Sequence, residues 1–181
     1  MSAARFCEAK LLLPDDHQGL LQFERDFYKA YQTIPKQKLI RQIWNWNDEQ
    51  KRISLKCPYD DCALFVWQEN GVPTFYVGGT FDQTVFSQFK YYGFETPDGI
   101  NQYCEVFTLF ATPLLRTSIF EIDALFLQTS CFHYSKSKGV YHVLATCTGR
   151  MLSLYTRWGW EILSSRVIEG EERYFILKEL N

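Results

Sequence analysis

The stretch from Val140 to Leu180 constrains the fold more than any other part of the chain. It reads strand, helix, strand, turn, strand: Val140–Thr146, Gly149–Trp158, Trp160–Ile168 and Arg173–Glu179. The helix is amphipathic and turns straight into the next strand at Gly159-Trp160, with no linker between them. Strands alternating with helices in this way argue for an α/β protein whose helices flank a mixed sheet.

Upstream, 4–13 has the composition of a first strand. Asp15 or Asp16 can cap a following helix in which Leu20, Phe23, Phe27 and Tyr31 recur at helical spacing, and Thr33-Ile-Pro35 ends it. A second short helix is expected over Gln37–Trp44, then a polar, proline-containing stretch from Asp48 to Asp61. Ala63–Gln68 and Thr74–Phe81 read as two strands joined through Asn70-Gly71, a strong hairpin signal between apolar runs. Thr84–Tyr92 is expected to be helical, Thr96–Gly99 a loop, Tyr103–Ala111 a strand and Thr117–Phe132 a helix.

No repeat, linker or low-complexity run divides the 181 residues, so a single domain, 1–181, is expected. Net charge is −2 with both signs interspersed, which leaves no footprint for nucleic acid or an anionic membrane. No apolar run approaches the roughly 18 residues of a membrane span, and the first residues lack a signal-peptide layout, so a cytoplasmic location is expected. The six cysteines are scattered through apolar segments and read as buried thiols. Cys57 and Cys62 lack the second ligand pair a zinc site needs, so no metal is expected. Aromatic residues make up 17% of the chain. That composition suits either a Phe-rich core or a pocket for an apolar ligand.

Leu154, Tyr155, Gly159 and Trp160 reproduce the Leu-Tyr-x-x-x-Gly-aromatic pattern that ends the GNAT acyltransferase fold, and the element order of nearly the whole chain resembles that fold. Within the superfamily, two further features resemble the acyl-homoserine-lactone synthases and N-acyl amino acid synthases. One is the extra helix ahead of Tyr103–Ala111, and the other is the run from Leu144 to Trp160. Glu105 stands where those enzymes carry a strand glutamate. The chain departs from them at Gly79-Thr-Phe-Asp82 and Val106-Phe-Thr108, where they have Arg-Leu-Leu-Pro and Ser-Arg-Phe, which argues against a homoserine lactone product.

The resemblance implies an N-acyltransferase that moves an acyl group from an acyl carrier protein or acyl-CoA thioester to the amine of a small, amino-acid-like metabolite. It implies Tyr155 as the acid that protonates the leaving thiolate. Glu105 is the candidate base: on a regularly alternating strand it would share a face with Tyr103, Phe107 and Leu109, where burial would raise its pKa. His142 is a reserve base. The donor's phosphopantetheine would meet Phe110 and Ala111 at the strand end, then Arg116, Thr117 and Ser118 in the following loop. That loop carries Ile119 and Glu121 where the family has glycines. Three readings follow: a donor delivered by a carrier protein, a coenzyme A thioester bound atypically, or a non-catalytic GNAT-fold module that binds a ligand or protein. Arg25, Trp46, Asp60 and Asp61 are candidate lining residues for the acceptor.

Overall fold

The computed structural model describes residues 7–34, 37–113 and 126–181. Its backbone is a seven-stranded sheet in the order β1-β4-β5-β6-β7-β9-β8. The strands are β1 (Cys7–Leu12), β4 (Cys62–Glu69), β5 (Val72–Thr80), β6 (Cys104–Ala111), β7 (His142–Thr148), β8 (Glu161–Ile168) and β9 (Glu171–Glu179). Every pair is antiparallel except β6 with β7. A separate hairpin pairs β2 (Trp44–Asn47) with β3 (Arg52–Leu55).

One face of the sheet is covered by that hairpin and by α1 (His17–Tyr31), α2 (Gln37–Ile43) and α3 (Gln88–Tyr91). The other is covered by a helical stretch that includes a π-helical turn, Gln128–Phe132, and continues into α4 (His133–Ser137), together with α5 (Gly149–Arg157). Among the described residues no helix is long and apolar enough to cross a membrane, and no group of three or more His, Cys, Asp or Glu side chains could hold a metal ion. The five cysteines whose side chains are described are all free.

Local chemistry explains most of these elements. Asp16 caps α1 by accepting the Gly19 amide at 2.9 Å, and that bond holds its carboxyl below the usual range. Leu20, Phe23 and Phe27 then fall on one buried stripe. Asn70 and Gly71 both take positive φ (53° and 77°), as a tight hairpin requires, and Glu169 and Gly170 repeat the device between β8 and β9.

Two expected helices are shorter than the sequence suggested. Trp44 opens β2 because Trp44-Asn45-Trp46-Asn47 alternates apolar and polar side chains and pairs with the equally alternating β3. The helix expected over Thr84–Tyr92 is confined to Gln88–Tyr91 because Asp82 draws residue 84 into a turn, accepting both its amide (2.8 Å) and its hydroxyl (2.6 Å). The first part of the helix expected over Thr117–Phe132 lies outside the described residues.

Candidate active site

The feature that makes a site is the junction of β6 and β7. The two strands pair in parallel only over Cys104↔Val143, Glu105↔Leu144 and Val106↔Ala145, and then diverge. At the point of divergence β6 carries a bulge. Its pairing with β5 runs Gly78↔Thr108 and then Gly79↔Val106, so Phe107 is an extra residue. The close approach this demands is made at Gly79, where a Cβ would lie 2.5 Å from the Glu105 carbonyl oxygen. A wedge therefore opens between the strands, from Phe107 on one side and Thr146 on the other.

The bulge resets which side chains look where. Glu105, Phe107, Thr108 and Phe110 face the α1–α3 side, while Leu109 turns to the opposite face. The expectation that Leu109 neighbours Glu105 is corrected for this reason: regular alternation fails across the extra residue.

Glu105 is 2% exposed. Its Oε1 accepts the Phe89 amide at 2.9 Å, so the carboxyl sits against the first turn of α3, whose N-cap is Ser87. Burial pushes its pKa up to about 7, against the opposing pull of hydrogen bonds from the Phe89 amide, Ser87 and the Gln88 amide and of the nearby Lys90 charge. By register it lies one residue inside the vertex of the wedge.

The α1–α3 side of the wedge collects polar groups that the sequence analysis did not single out. Gln88 donates to Thr146 Oγ1 at 3.2 Å, but its Oε1 is buried without a partner. Tyr92 hydroxyl, Thr108 Oγ1 and Arg173 Nε are also buried without partners. The Tyr31 hydroxyl lies beside the Thr108 side chain. Burial raises the pKa of Tyr31 and of Tyr92 to about 12 in each case, partly offset by the Arg173 charge. A buried polar atom with no partner costs roughly 1 to 3 kcal/mol, so several around one opening are costly unless a ligand completes them. The signal in the sequence was weak: a Thr immediately after the bulge and an Arg on the buried face of a terminal strand look unremarkable before the wedge is known.

Tyr155 is on the other face, 7% exposed, with its ring edge-on to Trp158 and Trp160 at centroid distances of 5.5 and 5.4 Å. The spacing of the Tyr155…Gly159-Trp160 string has a structural cause. The Trp160 amide donates to the Tyr155 carbonyl (3.1 Å) and the Gly159 amide to the Thr156 carbonyl (3.0 Å), a Schellman ending with Gly159 at φ 74°. Lys178 Nζ closes the same end, donating to the Trp158 and Gly159 carbonyls. Gly159→Ala should therefore destabilise the protein by about 1 to 2 kcal/mol from the left-handed backbone alone. It also displaces Lys178, whose Nζ lies 2.8 Å from the added Cβ. Urea unfolding measures the loss, and an unchanged midpoint would show that the ending is not strained by a side chain.

The other candidates are dispersed. Phe110 is 7% exposed and stacks on Phe27 (5.0 Å, 6° between planes) and Tyr76 (5.1 Å), so its side chain belongs to the core; only its backbone borders the wedge. Ala111 packs on the Tyr155 face. Arg116, Thr117 and Ser118 lie outside the described residues. His142 begins β7, at the end away from the wedge. Arg25 is exposed on α1, and Trp46 carries Arg41 over its ring at 4.4 Å. Asp60 and Asp61 line a separate cavity of about 730 Å³ with Asp82, Tyr134 and Lys138, near the first residues of β6 and β7. The four residues expected to line one acceptor site do not meet.

No protein-family model and no curated protein matches the sequence. Solved structures match in shape. FeeM, an N-acyl amino acid synthase from uncultured soil microbes, superposes with a TM-score of 0.61 at 10% identity, over 99% of this chain and 93% of that one. The ribosomal-protein-S18-alanine N-acetyltransferase of Escherichia coli gives 0.58 at 10% identity, over 97% and 95%. The PaiA N-acetyltransferase of Thermoplasma acidophilum, solved with coenzyme A, gives 0.57 at 13% identity, over 96% and 99%. At such identities the likeness is one of architecture: the chain has the GNAT acyltransferase fold, a mixed seven-stranded sheet flanked by helices on both faces.

Proposed function

We propose that the protein is an N-acyltransferase that moves an acyl group from a thioester, acyl-CoA or acyl carrier protein, to the amine of a small amino-acid-like metabolite. The observation that carries the reading is the wedge itself: parallel strands that part at a bulge, with unpartnered polar groups on one face and Tyr155 on the other. Neighbours in shape include an N-acyl amino acid synthase and an acetyltransferase solved with coenzyme A, which supports a thioester donor.

In this reading the thioester carbonyl lies in the wedge, with the amine on the α1–α3 face and the sulfur on the α5 face. The amine nitrogen attacks the carbonyl carbon, the C–N bond forms and the C–S bond breaks. The amine proton passes to Glu105, whose raised pKa suits a base working near neutrality. Tyr155 gives its proton to the departing thiolate. Holding the two reactants in line contributes the most, roughly 7 to 11 kcal/mol of the barrier in well-oriented systems.

The test is release of free thiol when the protein is mixed with coenzyme A and carrier-protein thioesters of several chain lengths and a panel of amines. Tyr155→Phe keeps the ring that packs on Trp158 and Trp160 and should lower turnover about 10²-fold or more. Its melting temperature should stay close to that of the wild type. No thiol release with any donor would leave the non-catalytic module, the reading favoured by Ile119 and Glu121 in the positions of the family's glycines.

A further inference from the structure

The α1–α3 side of the wedge holds a buried cation without an adequate anion. Arg173 is 7% exposed, yet its ion pair with Glu171 is long, 3.4 Å, and its Nε has no partner. Its guanidinium carbon stands 5.3 Å from the centre of the Tyr92 ring, and the Tyr92 hydroxyl is itself unpartnered. A second positive charge adjoins it. Arg166 on β8 is directly paired with Arg173 on β9, so both side chains leave the same face of the sheet, and the Arg166 guanidinium lies over Phe94 at 5.8 Å. Like charges directly opposite one another on paired strands are destabilising. A buried guanidinium left short of acceptors adds to that cost. Both costs fall if an anion enters, and a planar guanidinium fits a carboxylate through two parallel hydrogen bonds.

The neighbouring groups define what else the anion is attached to. Arg173 pairs across the sheet with Thr148, and the next same-face pair along the two strands is Thr146↔Phe175. Thr146 holds Gln88, whose Oε1 is an unused hydrogen-bond acceptor beside the vertex. Thr108 Oγ1 lies on the same side, at the bulge. A cationic fork and an amide oxygen, about one residue pair apart along the strand, match the two ends of an amino acid.

We propose that Arg173 is the specificity-determining residue of the acceptor site, binding the carboxylate of an amine acceptor through its guanidinium while Gln88 accepts a hydrogen bond from the amine. This deepens the acyl-transfer reading and rests on it for the identity of the acceptor. Binding of a carboxylate-bearing amine can nevertheless be measured without turnover.

The experiment is thermal unfolding of the wild-type protein, with and without a thioester donor, against a panel of L-amino acids and the α-amides of the same amino acids. At least one acid should raise the melting temperature while its amide does not. Arg173→Gln should weaken binding of that acid by about 10- to 100-fold, the range for a lost hydrogen bond to a charged group, and bring acid and amide level. Arg173→Lys, which keeps the charge and loses the fork, should fall between. The wild-type comparison of acid with amide needs no variant to fold. Equal shifts with acid and amide, no shift with any acid in either condition, or an Arg173→Gln protein that still prefers the acid would overturn the proposal. The two readings separate cleanly. Amides acylated as fast as acids would sink the Arg173 subsite and leave acyl transfer standing, whereas acids that bind through Arg173 without thiol release from any donor would sink acyl transfer and leave Arg173 as the carboxylate-binding residue of a ligand site.

Discussion

Between pH 4 and 8, Glu105→Gln should change how stability depends on pH more than any other single substitution. In the folded protein burial holds the Glu105 pKa near 7, against an ordinary value of 4.5. Folding therefore takes up a proton between about pH 4.5 and 7. The protonated carboxyl contributes its stability fully below the unfolded pKa, and that contribution is lost as the pH rises through 7. A difference of that size corresponds to about 3 kcal/mol. Glutamine stays neutral and keeps an oxygen for the Phe89 amide, so it cannot suffer the loss. The stability of the variant minus that of the wild type, from urea unfolding at a series of pH values, should grow by about 3 kcal/mol from pH 4 to pH 8. Parallel curves would mean that the carboxyl is not desolvated as described. The same variant tests chemistry. If Glu105 takes the amine proton, the wild-type rate climbs through pH 7, and the glutamine protein loses both that limb and about 10²-fold in turnover. Normal turnover in the variant would reduce Glu105 to a group that fixes the first turn of α3.

The contrast between Glu105 and its neighbours shows which parts of the site a sequence can carry. That Glu105 would be buried on an apolar strand with a raised pKa follows from its immediate context, and so does the strand–helix–strand order around Tyr155. The positive φ demanded of Gly71 was equally legible, because Asn-Gly between apolar runs has few other uses. The bulge was not. One extra residue leaves no mark in the alternation of Cys104-Glu-Val-Phe-Thr-Leu-Phe110, yet it decides that Thr108 rather than Leu109 joins Glu105. Arg173 was missed for a related reason. Its partners Tyr92 and Thr148 are brought to it by strand pairing and by the placement of α3, both long-range consequences of the sheet order. The β2–β3 hairpin was legible in principle, from two four-residue alternations flanking a polar turn. It was lost because Trp44 also fits the apolar stripe of α2.

Phe27→Ala should be among the most destabilising substitutions in the core, and the reason bears on what the aromatic surplus is for. Phe27 is fully buried and ties its own helix to two other elements: it stacks on Phe110 of β6 (5.0 Å, 6°) and meets Trp44 of β2 at 4.6 Å, while the edge of Tyr31, one turn on in α1, closes over it at 5.2 Å. Phe23 repeats the pattern one turn earlier against Tyr76 and Phe110. These rings tie α1 and the β2–β3 hairpin to the part of β6 that borders the wedge. Removing a buried Phe ring costs about 3 to 5 kcal/mol, and the stacked geometry adds roughly 0.5 to 1.5 kcal/mol per aromatic pair. At about 2 to 4 °C per kcal/mol for a chain of this length, the melting temperature should fall on the order of 10 °C. Phe27→Leu, which fills most of the volume, should fall by less than half as much. If instead the alanine protein keeps its melting temperature and gains affinity for long-chain thioesters, the rings are the wall of an acyl pocket rather than a packed core, and the position of the donor chain would have to be moved to the α1 side of the sheet.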